Sequence, residues 1–390
     1  MKVGIVGYGK MGRNIFSLLS ETPMEIVVLG RDAEAMGREG QRLEKRLRRA
    51  AGGGVMAADD LERRLAAQRF TTAWADLRDC DLVIETIKED FETKIAVLQQ
   101  AEAAISRTAV LTSNTSSLSL TTMAERLRQP ERFCGFHFFH PVRLTSVVEI
   151  IVAACTAPHV VDTLKTVARE IGRTPLVVKD LPGSCINVPL TWQTCEALYI
   201  LEQGLALPSR IDEIAVRFAR FGPCEAMDTI GIPFFTDVLV NTIDAFAAEL
   251  EVPALCRALI RDGHSGKYAG RGIYLYQGDT PTDGARETYA NPAQTHTPRG
   301  VRSDEAALYE RLLFPIYFAS LKVAQRDLAS LDDLCLGISD LIGLKLDPMA
   351  EMRGLGSHGL REVFGRLHDE LGPRYDAKPL DSILTTLDRR

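Results

Sequence analysis

The stretch Gly135-Phe136-His137-Phe138-Phe139-His140-Pro141, with Glu149 twelve residues beyond His137, carries the spacing most suggestive of chemistry. An apolar run that ends in His and Pro reads as a buried strand entering a tight turn. Imidazole exchanges protons near neutral pH. A carboxylate on a neighbouring strand holds such a ring and favours its charged form. The bland reading of a lone histidine in an apolar strand is a core residue bonded to backbone. Glu149 weighs against it, because it interrupts the apolar run at residues 146–152, and a buried carboxylate needs a partner.

A second constellation opens the chain. Residues 3–6 form an apolar strand, Gly7-Tyr8-Gly9-Lys10-Met11-Gly12 follows, and residues 13–19 continue at helical spacing. In such a strand–turn–helix the first glycine permits the turn and the second admits a pyrophosphate. The third lets helix pack on strand, and the helix N-terminus offers amides to phosphate. Gly7, Gly9, Lys10, Met11 and Gly12 are therefore candidate dinucleotide contacts, a plain glycine-rich turn being the alternative. The next strand, 25–29, ends at Gly30-Arg31-Asp32. An acidic residue there suits the ribose of NAD, and an Arg accommodates the 2′-phosphate of NADP. Arg31 and Asp32 leave the cofactor as NAD or NADP, with Arg31 favoured at the ribose. Alternatively Arg31 is solvated and Asp32 caps the helix that follows.

These residues need a scaffold. Residues 34–68 read as two charged amphipathic helices broken at Gly52-Gly53-Gly54. The basic run at 45–49 is a solvated face or a hold for a phosphate-rich substrate tail. Strands are expected at 80–85, 109–112, 135–139, 146–152 and 175–180, with a helix at 91–104. Ser113-Asn114-Thr115-Ser116-Ser117 is a hydroxyl-rich loop in which Ser116 or Ser117 could cap a helix beginning near Leu118. Alternation of strand and helix over roughly 180 residues gives a mostly parallel, doubly wound sheet. Beyond residue 181 the pattern turns helical, at 187–204, 211–220, 234–250 and 254–262, before a glycine-rich tail. Residues 278–303 are rich in Pro, Gly and Thr and read as a linker. Helical patterning resumes at 306. The two helical stretches share a helix, a polar turn and an acid-opened helix, the mark of an internal duplication. The expected domains are 1–181 for dinucleotide binding, 182–277 for a first helical domain, 278–303 for the linker and 304–390 for a second helical domain.

Composition sets outer bounds. The 390 residues carry a net charge of −6, which argues against a nucleic-acid partner. No stretch approaches the roughly 18 apolar residues of a membrane helix. The chain starts directly with strand residues, with no signal peptide in front. Eight scattered cysteines without a Cys-x-x-Cys suggest a reduced cytoplasmic chain with neither disulfides nor a metal site.

Taken as an ordered series, these motifs resemble the 3-hydroxyacyl-CoA dehydrogenase family. The series is Gly7-x-Gly9-x-x-Gly12, Val83-Ile84-Glu85 through Glu89 to Lys94, and residues 113–117. His137-Phe138-Phe139-x-Pro141, Glu149, Pro182-Gly183 through Asn187, and Gly270-Arg271-Gly272-Ile273-Tyr274 complete it. The resemblance implies an α/β Rossmann-type doubly wound domain followed by all-α domains. It implies interconversion of a 3-hydroxyacyl thioester and its 3-oxo form with a nicotinamide cofactor. By the same resemblance, His137 exchanges the hydroxyl proton, Glu149 orients it, and Ser116 and Asn187 hydrogen-bond the reacting oxygen. Glu89, Lys94 and Ser116 match dinucleotide contacts, and His140 stands where the family has an Asn beside the nicotinamide. Ser184, Val188 and Tyr268 also depart from the family pattern. The substrate would be an acyl-CoA, with an acyl carrier protein thioester or a free hydroxy acid as alternatives. A relative kept only as a non-catalytic binding module is an alternative of another class. Shorter members pair through their helical domain, so a second copy in one chain points to a monomer.

Overall fold

A computed structural model describes residues 1–284, 289 and 301–388. The chain divides into two compact units, Met1–Asp180 and Leu181–Arg390. The first unit contains, in order, β1 (Lys2–Val6), α1 (Lys10–Leu19), β2 (Glu25–Leu29), α2 (Ala33–Gly52), α3 (Ala58–Ala66), β3 (Gln68–Thr71), β4 (Leu82–Glu85) and α4 (Phe91–Ala104). There follow β5 (Val110–Ser113), α5 (Leu120–Ala124), β6 (Phe133–His137), β7 (Val147–Val152), α6 (Pro158–Glu170) and β8 (Thr174–Lys179). The eight strands form one sheet in the order β3-β2-β1-β4-β5-β6-β7-β8. Every pairing is parallel except β6 with β7. All of β4, β5 and β6 is buried, as expected of strands covered on both faces.

The strands depart from the sequence reading most at β6 and β3. β6 spans Phe133–His137 rather than 135–139, because its pairing with β5 begins at Phe133. Phe138 and Phe139 lie buried just past its end. β3 adds a strand where the pattern shows none. It is a polar edge strand, Gln-Arg-Phe-Thr, held by backbone pairing to β2.

The second unit is helical: α7 (Asn187–Glu202), α8 (Pro208–Ala215), α9 (Pro223–Ile230), α10 (Ile232–Phe246) and α11 (Ala254–Arg261) precede a hairpin, β9 (Tyr274–Gln277) with β10 (Thr280–Asp283). α12 (Glu305–Gln325), α13 (Leu331–Ile342), α14 (Pro348–Leu371) and α15 (Asp381–Leu387) complete it. β10 thus occupies part of the expected linker; residues 285–288 and 290–300 of that linker lie outside the described residues. The hairpin turns at Gly278 with φ 63°, and Thr282 Oγ1 donates to Leu275 O at 3.0 Å.

Two places in the helical unit share a pattern of helix lengths. α9 has eight residues, Gly231 follows at φ 106°, and α10 has fifteen. α14 breaks at Gly356, φ 63°, leaving eight residues before it and fifteen after. Pro opens α9 and α14 alike. α7 and α12 pack together, with Gln193 Nε2 donating to Leu312 O at 3.1 Å.

Candidate active site

The turn after β1 is shaped by its three glycines in three ways. Gly7 has φ +99°, and a Cβ there would sit 2.9 Å from Ile87 Cγ2. A Cβ on Gly12 would sit 2.2 Å from Gly7 O. Around Gly9 a Cβ would meet nothing within 4 Å, so this side stays open to an approaching group. Thr86 Oγ1 donates to Gly7 O at 2.8 Å and fixes the turn on the end of β4. Gly9 caps α1 without a side chain, so the first-turn amides of α1, from Lys10 onward, face an anion with no competing cap. This cradle fits a dinucleotide pyrophosphate.

The two candidates for the ribose end differ in their surroundings. Asp32 caps α2, accepting from Ala35 N at 2.8 Å. Arg31 is exposed just beyond β2.

His137 and Glu149 are direct partners in the antiparallel register of β6 and β7, which places their side chains on one face. His137 Nδ1 lies 2.7 Å from Glu149 Oε2, with the residues 5% and 0% exposed. Phe139 packs edge-on against the imidazole, centroids 4.7 Å apart. With Nδ1 bonded to the carboxylate, Nε2 is the nitrogen left to exchange a proton.

The hydroxyl-rich loop after β5 is anchored at both ends. Asn114 Oδ1 accepts from Phe138 N at 2.8 Å, next to His137. Glu89 Oε1 accepts from Ser116 N at 3.1 Å, Ser117 N at 3.0 Å, Ser117 Oγ at 2.9 Å and the Thr115 hydroxyl. Ser116 and Ser117 are therefore held by Glu89 and cap no helix; Ser119 caps α5, accepting from Thr122 N. Lys94 lies inside the unit, 1% exposed. Its Nζ reaches Glu85 Oε1 at 2.8 Å, Glu85 Oε2 at 3.0 Å and Glu89 Oε2 at 3.3 Å. Ser113 Oγ donates to Glu85 Oε2 at 2.5 Å. Burial pushes the Glu89 carboxyl up, but the Lys94 ammonium and the Thr115 and Ser117 hydroxyls outweigh it and hold it below the usual range. Glu85, Ser113 and Asn114 have roles that sequence reasoning did not assign. The available signal was a carboxylate ending an apolar strand, the argument that singled out Glu149.

His140 is exposed. Burial, and then the Lys10 ammonium at the head of α1, push its imidazole below the usual histidine range. The loop behind it is tied to α1 by Arg143, which donates to Ser17 Oγ at 3.0 Å and pairs with Glu21. In the second unit Asn187 is the first residue of α7 and half-buried. Ser184 adopts φ 70° directly after Gly183 at φ 96°. Tyr268 is 92% exposed, and Lys267 pairs with Asp279 at 3.3 Å.

Comparison with known proteins follows the same division. Residues 2–181 match the family model "3-hydroxyacyl-CoA dehydrogenase, NAD binding domain", and residues 190–276 match "3-hydroxyacyl-CoA dehydrogenase, C-terminal domain". A protein of Deinococcus radiodurans named "Probable 3-hydroxybutyryl-CoA dehydrogenase" is 30% identical over 279 residues, covering 71% of this chain and 100% of that relative. The chain belongs to the 3-hydroxyacyl-CoA dehydrogenase family. It is an oxidoreductase with a nicotinamide dinucleotide-binding domain. A fatty acid oxidation complex subunit alpha of Vibrio cholerae is 25% identical over 393 residues, 98% of this chain. This dehydrogenase spans 54% of that relative's length. The crystal structure of 3-hydroxybutyryl-CoA dehydrogenase from Escherichia coli covers 100% of this chain at TM-score 0.83 and 22% identity, a likeness of fold. Among the described residues no helix is long and apolar enough to cross a membrane.

Proposed function

We propose that this dehydrogenase interconverts a 3-hydroxyacyl thioester, in the first place an acyl-CoA, and the 3-oxoacyl thioester. The observation carrying this reading is the buried His137–Glu149 pair, 2.7 Å apart and in register. In the oxidative direction His137 Nε2 takes the proton of the 3-hydroxyl as that oxygen becomes a carbonyl. A nicotinamide dinucleotide held at the Gly7–Gly12 turn would supply the hydride acceptor for the same carbon. Glu149 fixes the tautomer of His137 and stabilises the imidazolium that forms. Ser116 and Asn187 donate to the oxygen, where fixed donors stabilise developing alkoxide character. In reverse, His137 returns the proton. The test is loss of reduced-nicotinamide absorbance with acetoacetyl-CoA and NADH or NADPH in parallel. His137→Ala is expected to abolish turnover while still binding dinucleotide; retained turnover removes His137 from the mechanism.

For the cofactor, the capping role of Asp32 supports Arg31 as the residue facing the ribose, and so acceptance of NADPH. Arg31→Asp is expected to shift preference toward NADH. An unchanged ratio sinks that assignment.

A carrier-protein thioester is the second reading. Arg42, Lys45, Arg46 and Arg49 are all exposed and recur at helical spacing along α2, giving a basic stripe on a chain of net charge −6. No carboxylate among the described residues pairs with Lys45, Arg46 or Arg49. Such a stripe suits an acidic carrier. Faster turnover of a 3-oxoacyl carrier protein than of acetoacetyl-CoA would favour this reading.

The packing of α7 on α12 supports a monomer in which the second helical copy takes the place of a partner. Light scattering should give one chain mass, 43.0 kDa, and a value near twice that sinks the idea. All eight cysteines are free thiols, seven of them buried, which supports a cytoplasmic location.

A further inference from the structure

Among the described residues two that are not glycine hold a positive φ, Ser184 at 70° and Asp327 at 54°. Each stands directly before one partner of a single contact. Cys185 Sγ donates to Leu328 O at 3.9 Å, across 143 residues of chain. A positive φ outside glycine is strained and persists where the surroundings fix it, most often at functional sites. The first of these turns leads straight into Asn187. Ser184 N donates to Leu181 O at 3.0 Å, and Asn187 N to Ser184 O at 3.2 Å. Ser184, Cys185, Ile186 and Val188 are all buried, which leaves half-buried Asn187 as the member with access. No side chain caps the start of α7, so packing must hold it. α10 presses on the turn, where a Cβ on Gly183 would sit 2.5 Å from Thr242 Oγ1. The end of α12 is fastened to α10 in turn. Arg326 stacks over Phe246 at 4.2 Å and donates to Phe246 O at 3.5 Å, and Lys322 pairs with Glu249.

α7 and α12 close on the same kind of turn. Gly204 N reaches Leu201 O at 2.9 Å and Leu205 N reaches Ile200 O at 3.1 Å. Asp327 N reaches Ala324 O at 2.9 Å and Leu328 N reaches Val323 O at 3.2 Å. Both are Schellman turns, with glycine at φ 62° in one and aspartate in the other. The Gly204 turn lies at the far end of α7 from Asn187, sixteen residues away along the helix or about 24 Å. On the reading that Asn187 meets the reacting oxygen, we infer that residues 326–328 are a positioning element for Asn187. They seat the 183–187 turn, and Asn187 keeps its place through it. These residues lie beyond residue 276, where the match to the family's C-terminal domain ends. A segment outside the matched part thus acts on the chemistry.

The test uses the full chain. Asp327→Val puts a β-branched side chain at a positive φ it resists, and so shifts the Leu328 carbonyl. At saturating cofactor, kcat for acetoacetyl-CoA should fall about tenfold, part of the hundredfold that a displacement of about 1 Å costs. KM and the affinity for NADH or NADPH should stay within about threefold, since a donor to a developing alkoxide acts in the transition state. Asp327→Gly and Asp327→Asn should keep wild-type kcat, because both accept that backbone. Gly204→Val strains the matching turn and should lower the urea-unfolding midpoint without lowering kcat. In an Asn187→Ala background, Asp327→Val should lower kcat by no more than about twofold. Additive losses there would place the effect elsewhere and overturn the inference, as would a wild-type kcat in Asp327→Val. Equal losses of kcat in Asp327→Val and Gly204→Val would reduce it to general destabilisation. Asn187→Ala with wild-type kcat would sink the reading of Asn187 and this inference with it. Amide hydrogen exchange over residues 183–187 reads the turn without turnover. Protection should fall in Asp327→Val and hold in Gly204→Val. A wild-type chain inactive on acetoacetyl-CoA with either cofactor counts against the proposed reaction, and unchanged exchange in Asp327→Val overturns the seating of the turn whatever the activity.

Discussion

Each unit holds a three-membered charge cluster around a buried pair, and the two are built in opposite senses. In the sheet unit one ammonium, Lys94, sits between the carboxylates of Glu85 and Glu89. In the helical unit one carboxylate, Glu196, sits between the guanidinium groups of Arg311 and Arg374 at 2.9 and 2.8 Å. The first cluster spans nine residues between Glu85 and Lys94, and the second spans 115 between Glu196 and Arg311. The first ends on the amides and hydroxyls of one loop. The second joins α7 to α12 and to Arg374 beyond α14, with Arg374 stacked over Tyr199 at 4.9 Å. A compact ammonium suits a crowded local site, whereas planar forks suit two helices that must meet in one register. One cluster ends on the amides of a loop and the other ties together helices distant in the chain.

That contrast breaks most visibly at Glu196. Glu196→Ala leaves two guanidiniums buried without their carboxylate and should cost about 3–5 kcal/mol in urea unfolding. A loss below about 1 kcal/mol would mean that the helical copies do not depend on it. Glu89→Ala should behave in the opposite way. Stability should fall by about 1–3 kcal/mol from its unmade hydrogen bonds, while kcat falls about a hundredfold. The triple change Glu196→Leu/Arg311→Met/Arg374→Met should stay within about 2 kcal/mol of wild type, since buried ion clusters replaced by apolar groups are often neutral. If it unfolds the chain, the cluster is needed for stability and not only for register.

Acid separates the clusters less sharply. Burial pushes Glu196 up, but Arg374 and Arg311 outweigh it and leave its carboxyl below the ordinary value of 4.5, as Lys94 does for Glu89. A depressed folded value means that the unfolded chain binds the proton first. Both groups therefore contribute stability above about pH 4.5 that is lost as pH falls through their folded values. Glu196→Gln should flatten that acid limb; an identical limb would show that other carboxylates dominate. Smallest of all, Arg210→Ala at the exposed Arg210–Glu305 pair should leave the urea-unfolding midpoint essentially unchanged, as expected of a solvent-exposed pair.

Much of this arrangement is legible in the sequence. The glycine turn announces itself because each glycine replaces a side chain that would collide or obstruct. His137 and Glu149 stand out as polar residues in apolar strands. The expected duplication rests on a polar turn before an acid-opened helix in both stretches, but only α13 opens on acids, Asp332 and Asp333, while α8 has none in its first turn. Glu85 carried the same signal as Glu149, but its partner Lys94 stands on a helix where a lysine reads as solvated. α9 is hidden by Gly222, Pro223 and Gly231, which punctuate a segment only eight residues long. β3 is hidden because an edge strand can be polar throughout. The shift of the α5 cap from Ser116 or Ser117 to Ser119 turns on Glu89, a partner 27 residues from Ser116 that local spacing does not reveal.

The reversal of direction between β6 and β7 has a consequence for how the chain assembles. His137 and Glu149 are twelve residues apart, so closing one short connection brings them together, on the timescale of a hairpin. The glycine turn that would hold the cofactor is locked by Thr86, 79 residues from Gly7. That contact waits for strands far apart in the chain to meet, and such distant pairings are the slow ones. The His137–Glu149 pair is written into the chain as a local feature, and the glycine turn as a global one.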